Sequence, residues 1–241
     1  MSKSSKLKII LGSLYLVIIF GVLWLFFSYF SISEFKFTSY DLIKNNRNYL
    51  IEIKNSNIFL SGILFFIISV IWILCLGFAA PILLFAGFLF GKLLGSLLAV
   101  FALSTGATLL YIFCNFYLKD FIKEKFLKKY IFLNEKFKKN EFNFFLIYRF
   151  ALPIPFAISN ILPTLFNVKI KNFFFGTLLG MYPQIFVWTS FGSGIEKLID
   201  QNLKPPTFIQ LIYSREIYLP ILGFVIIMFL AIIIKKFYYK N

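Results

Sequence analysis

The chain has 241 residues, of which 60% are hydrophobic and only 15% charged, and its mean hydropathy is +0.84; soluble domains are nearer half apolar and a quarter charged. Runs of about 18 or more apolar residues are long enough to span a bilayer core of roughly 30 Å, while the ten-residue alternating segments of a membrane β-barrel are absent. The net charge of +15 comes from lysines beside the apolar runs, where membrane orientation and anionic lipid explain it without nucleic acid as a partner.

The composition thus predicts an all-α polytopic membrane protein. It has no histidine, so proton chemistry would fall to carboxylates, tyrosine hydroxyls or water. Cys75 and Cys114 lie in apolar runs and read as buried free thiols; no disulfide framework or metal-ligand spacing exists. No nucleophile–base pair, metal cluster or phosphate-cradling loop is legible, and Ser104, Thr105 and Thr108 read as helix-packing hydroxyls. The expectation is a protein that is not an enzyme and needs no cofactor and no metal.

In chain order, Lys3, Lys6 and Lys8 precede an uncharged run from Ile9 to Phe30. That run is too long for a signal-peptide core and reads as a first span with a cytoplasmic N-terminus. Ser31 to Asn57 is polar; Leu42, Ile43, Tyr49, Leu50 and Ile53 suit one face of a short surface helix, and a plain solvated loop is the alternative. Residues 1–57 form the anchor and outer loop, 58–194 the core, and 195–241 a C-terminal loop and last helix.

The core opens with a span from Ile58 to Ala79. Pro81 to Gly91 is too short to cross and reads as half of a re-entrant hairpin, followed by a span from Leu93 to Leu118. Gly87, Gly91 and Gly95 recur every four residues, which would place them on one helix face for close packing or along a substrate path. Lys92 is the only charge between Lys54 and Lys119; it either snorkels to the interface or contacts a headgroup. Lys119 to Glu141 holds eight lysines and four acids and reads as an amphipathic cytoplasmic segment. A strict count of spans would put that segment outside, and the lysine rule puts it inside.

Phe142 to Gly194 is the stretch around which the chain is organised. Pro153, Pro155 and Pro163 interrupt an apolar run, and Arg149 lies four residues before the first of them. Broken backbone survives at membrane depth only where protein or trapped water covers it, and a lone arginine there is a functional-site candidate. A second re-entrant hairpin is expected over about Phe142 to Phe166, then a span from Phe173 to Phe191. A last span from Ile217 to Ile234 ends in Lys235, Lys236 and Lys240, which argues for a cytoplasmic C-terminus. Pro81 and Pro153 each open a proline–isoleucine pair, with Gly87 and Ser159 six residues on and Gly91 and Pro163 ten residues on. This weak repeat has the form of the inverted repeats of secondary transporters.

Specific runs carry a family resemblance: FAGFLFG at Phe85 to Gly91, the aromatic-x-x-x-Arg pattern at Phe145 to Arg149, RFALPIPFAISN at Arg149 to Asn160, Val168 with Phe173, and FFFGTLLGMYP at Phe173 to Pro183. Over roughly Ile58 to Gly194 the chain resembles the DedA-like, VTT-domain (SNARE-associated Golgi protein) family, most of all its Tvp-type branch and bacterial relatives. Thr164 stands where the family commonly has glycine. No Asp or Glu lies between Ile53 and Lys119, so the acidic residues of classical DedA proteins near the first hairpin are missing. The resemblance implies two facing re-entrant hairpins and lipid translocation, which members perform on undecaprenyl phosphate in bacteria and phospholipids in eukaryotes.

The residues suit that expectation. Arginine offers phosphate a planar fork of donors, amides freed near Pro153 and Pro155 add more, and Asn160 supplies a neutral contact. Arg149, Asn160 and Lys92 are the candidate headgroup contacts; Pro81, Gly87, Gly91, Pro153, Pro155 and Pro163 are the candidate hairpin breakers. The expected partner is membrane lipid, anionic or polyprenyl phosphate, at a bacterial inner membrane, and small-residue faces permit a homodimer without requiring one. The alternatives are a small-solute or ion transporter, or a non-transporting envelope-maintenance factor.

Overall fold

The computed structural model describes residues 38–75, 77–122, 124, 140–151, 155–200 and 212–238, with positions 10, 12, 14, 15, 17 and 21. Most of the expected first span, most of the 119–141 segment and Pro153 lie outside the described residues. The elements are α1 (Thr38–Ser56), α2 (Ile58–Leu74), α3 (Ala79–Tyr117), α4 (Glu141–Ala151), α5 (Phe156–Ile161), a 3-10 turn (Leu162–Leu165), α6 (Ile170–Asp200) and α7 (Arg215–Tyr238). Among the described residues no strand occurs.

The polar stretch before the core is a helix over Thr38–Ser56, which overturns the loop alternative. It meets α2 at 111°. The bend follows from Asn57, whose extended backbone ends one helix while its side chain accepts from the Leu60 N–H at 2.9 Å to cap the next. Only Gly62, Phe65, Ser69 and Ile73 of α2 are buried. Most of its large side chains face outward, up to 77% exposed at Phe59. A helix with so many large apolar side chains outside is expected where lipid is the solvent.

Helix α3 is long and apolar enough to cross a membrane, but it is not one rod. Gly91 has φ 73 and ψ 174, a conformation close to glycine-only. The chain folds back there: a Cβ on Gly95 would lie 2.5 Å from the Ala86 carbonyl oxygen, nine residues earlier. The second arm, 92–117, is about 39 Å long at 1.5 Å per residue. Gly87, Gly91 and Gly95 therefore do not line one helix face. Gly91 is the turn, Gly95 seats the returning backbone, and Gly87 packs elsewhere. Pro81 and Gly87 do not break the chain either. Pro81 sits in the first turn of α3, where its missing N–H has no helical partner to lose.

Pro163 is accommodated as well, in the first residues of the 3-10 turn, so it is not the counterpart of Gly91. Among the described residues the second positive φ is at Asn167, 51°, a conformation that asparagine tolerates better than most residues. A short apolar arm, a positive-φ residue and a long helix thus occur twice, at Gly91 before the second arm of α3 and at Asn167 before α6. The repeated feature is a backbone conformation in a register different from the proline–proline alignment.

Two compact units share the core. One comprises 1–79 and 101–180, the other 80–100 and 181–241. In the second unit the first arm of α3 crosses α6 with backbone against backbone. A Cβ on Gly87 would lie 1.9 Å from the Thr189 carbonyl oxygen, and one on Gly192 2.0 Å from that of Leu84. Neither α6 nor the described part of α7 meets the length and hydropathy of a span, and Ile217–Ile226 is a shorter apolar helix.

Candidate anion site at Arg149

The first unit is built on aromatic packing around a glycine-cleared helix face. Phe173 of α6 stacks on Tyr111 of α3, centroids 4.5 Å apart, and lies 5.0 Å from Phe145 of α4. The Tyr111 hydroxyl donates to the Val168 carbonyl at 2.6 Å, tying α3 to the turn before α6. Glu141, the first residue of α4, accepts at Oε1 from the Lys169 N–H (2.6 Å) and from Asn172 Nδ2 (2.9 Å). A carboxylate at the start of α6 also complements the helix dipole. Phe145 and Arg149, one turn apart, sit over Gly176 and Gly180, one turn apart. A Cβ on Gly180 would come 2.8 Å from Arg149 Cβ and 2.8 Å from the Leu146 carbonyl oxygen. α4 and α6 therefore run parallel here at the separation that glycine permits.

This packing delivers Arg149 into the interior, where it is 5% exposed. After α4 the chain turns back, and α5 brings Ser159 and Asn160 to meet it. Arg149 NH1 donates to Ser159 Oγ at 2.7 Å and NH2 to Asn160 Oδ1 at 2.8 Å. Ser159 Oγ donates in turn to the Phe156 carbonyl at 2.8 Å, and the Tyr148 hydroxyl donates to the Ser159 carbonyl at 3.1 Å. The guanidinium carbon lies 5.1 Å from the Phe145 ring centroid and 4.9 Å from that of Phe173. Each such cation–π contact contributes about 0.5–2 kcal/mol.

The polarity of this cluster has a direction. Arginine is donor-only, so Asn160 must present its oxygen to it and turn its amide nitrogen elsewhere. Both Arg149 Nε and Asn160 Nδ2 are buried without an acceptor. Among the described residues the partners of Arg149 are a hydroxyl, an amide and two rings, none of them acidic. A buried cation costs several kcal/mol in desolvation, and neutral partners leave its charge uncompensated. A buried positive charge with two spare donor groups is chemically an anion acceptor.

Arg149 and Asn160, both singled out from the sequence, are in direct contact. Ser159 was noted only as a small residue, and its role as acceptor was not foreseen. Its place beside Asn160 in the ISN run was the available signal. Thr164, the departure from the family's glycine, is fully buried with its hydroxyl unpartnered. Lys92 belongs to the other unit. It follows the Gly91 turn, its carbonyl is 3.4 Å from Thr189 Oγ1, and its side chain lines a separate cavity. Pro155 caps the start of α5 in extended conformation, φ −50 and ψ 136.

Residues 77–194 match the family model of the VTT domain. The chain is also similar to a transmembrane protein 41 homolog of Caenorhabditis elegans, 24% identical over 151 residues. That alignment covers 60% of this chain and 59% of the relative, so the chain spans about three-fifths of the relative's length. No solved structure matches the chain at a comparable level. These likenesses support the VTT/DedA family, and with the all-helical, outwardly apolar architecture they support a helical membrane protein.

Proposed function

We propose that this chain moves phosphate-bearing lipids across a membrane, with the Arg149 cluster holding the headgroup while the acyl chains stay in lipid. The observation that carries the reading is the buried guanidinium with only neutral partners among the described residues and with donors to spare at Arg149 Nε and Asn160 Nδ2. A phosphate monoester or diester presents several anionic oxygens to such a set, and charge-assisted bonds to it are roughly twice as strong as neutral ones. Charge supplied by the substrate would offset the desolvation that the protein leaves unbalanced.

In this reading the Gly91 turn and the α5–Asn167 turn form the tips of two re-entrant hairpins, and the second arm of α3, α6 and α7 cross the membrane. Anionic phospholipid and polyprenyl phosphate are the substrates that fit, at a cell membrane. The motif runs also keep the Tvp-type branch and a bacterial origin as our reading. No step needs a cofactor or covalent chemistry.

The test is an outside-only quencher applied to liposomes carrying the protein and a fluorescent phospholipid or polyprenyl phosphate. Wild type is expected to expose inner-leaflet probe, and Arg149→Ala to lose that activity. Quenching that is independent of protein, or unchanged in Arg149→Ala, overturns the proposal for those lipids.

One observation favours a second reading. Arg149 bridges α4 to α5 and is almost fully buried, as a purely structural clamp would be. A clamp role predicts that Arg149→Ala lowers thermal stability in detergent and that Arg149→Lys keeps function. The headgroup role predicts that Arg149→Lys folds but transports poorly, because lysine lacks the planar fork.

A further inference from the structure

A cavity of about 400 Å³ lies within the second unit, among α3, α6 and α7. Its volume falls in the range of pre-formed small-molecule pockets, about 300–1,000 Å³. Lys92 stands at its wall, and Tyr182, Phe186, Leu219, Gly223 and Phe224 form much of the rest. The lining contains one cation and no carboxylate. Pro183 of α6 and Pro220 of α7 also face it. Each lacks a backbone N–H, so each of these helices forgoes one ladder bond while staying helical through the proline.

We propose that this cavity binds one anionic lipid molecule, with the Lys92 ammonium on the phosphate and the Phe186, Leu219 and Phe224 side chains against an acyl chain. Charge complementarity selects the occupant. A point positive charge on a flexible stem suits a phosphate, and an otherwise apolar wall suits a chain and repels a fully hydrated ion. The Gly91 reversal explains why a lysine stands here: the turn makes Lys92 the first residue of the returning arm. A Cβ on Gly223 would meet no atom within 4 Å, so the wall at that point borders open space. The site shares no residue with the Arg149 cluster and does not rest on translocation.

The experiment uses full-length purified protein, delipidated in detergent and offered phosphatidylglycerol or phosphatidylcholine, with bound lipid per chain counted by native mass spectrometry. Wild type is expected to retain one phosphatidylglycerol in preference to phosphatidylcholine by about fivefold, the factor a single lysine at a lipid surface supplies. Lys92→Gln is expected to remove the preference. Gly223→Leu, which fills the space, is expected to remove retention of both lipids without lowering thermal stability. The readout is equilibrium retention in detergent and not movement between leaflets, which separates the outcome from that of the translocation assay. The proposal fails if Lys92→Gln keeps the preference, or if Gly223→Leu keeps the lipid. It fails too if glycerol phosphate at equal concentration displaces the lipid fully, since the apolar wall would then contribute nothing.

Discussion

Arg149 stands directly over Gly180: a methyl group on Gly180 would approach Arg149 Cβ to 2.8 Å and the Leu146 carbonyl oxygen to 2.8 Å. The charge is held by a backbone approach between two parallel helices, and that approach requires the absence of a side chain. Gly180→Ala must push α4 away from α6, because one of the colliding atoms is backbone. Overpacking of this kind costs about 1–3 kcal/mol. Gly176→Ala collides with the Phe145 ring, Cδ1 at 2.7 Å, which rotation can partly relieve. The expected order in a detergent thermal-melt series is wild type, Gly176→Ala, Gly180→Ala, with the proposed lipid transport lost most in the last. Equal melting of all three would remove the close approach as the support of Arg149.

Gly91 and Gly223 form a controlled pair. An added Cβ meets nothing within 4 Å at either site, and only Gly91 has a positive φ, 73°. Gly91→Ala is expected to lower stability by about 1–3 kcal/mol through backbone strain alone, while Gly223→Ala is expected to be close to neutral. Matching melting temperatures for the two variants would show that the reversal at Gly91 tolerates a side chain.

Tyr111 joins α3 to the α6 turn in two ways, by its ring on Phe173 and by its hydroxyl on the Val168 carbonyl. Tyr111→Phe keeps the stacking and leaves a buried carbonyl without its donor, a loss of about 1–3 kcal/mol. Tyr111→Ala should cost more, about 3–5 kcal/mol, because the buried ring volume is lost as well. Equal effects of the two substitutions would assign all of the contribution to the hydroxyl.

Glu141 gives a graded test of the α6 start. Glu141→Gln keeps an acceptor for the Lys169 N–H and removes the negative charge, so about 0.3–1 kcal/mol should be lost. Glu141→Ala removes the acceptor too and should cost about 0.5–2 kcal/mol, as loss of a helix cap does. High salt should narrow the gap between wild type and Glu141→Gln, since the dipole part is screened.

Much of the candidate site was legible in the linear chain. Arg149 stood out because charge is rare in an apolar run, and Asn160 because it closes a run with two prolines. Their contact was not legible. It depends on a chain reversal that brings residues eleven positions apart to 2.8 Å, and on glycines that set the depth of α4 against α6. Ser159 escaped notice because nothing in the linear chain marks which small hydroxyl residue will face the guanidinium, as Ser159 does while its own proton goes to the Phe156 carbonyl. Of the expected hairpin breakers Gly91 does turn the chain, while Pro81, Gly87 and Pro163 do not, for a related reason. Proline at a first turn, as at Pro81 and Pro163, breaks nothing, whereas the turns at Gly91 and Asn167 are made by positive φ.

By itself the sequence determined the helical class, the apolar runs, the lysine-rich flanks and the isolated Arg149, because hydropathy and charge are properties of residues in order. The tertiary structure alone decided which glycines turn the chain and which seat a neighbouring helix, and that the guanidinium meets only neutral partners among the described residues. Those outcomes depend on backbone-to-backbone distances of a few ångströms between segments far apart in the chain, and local composition carries no record of them.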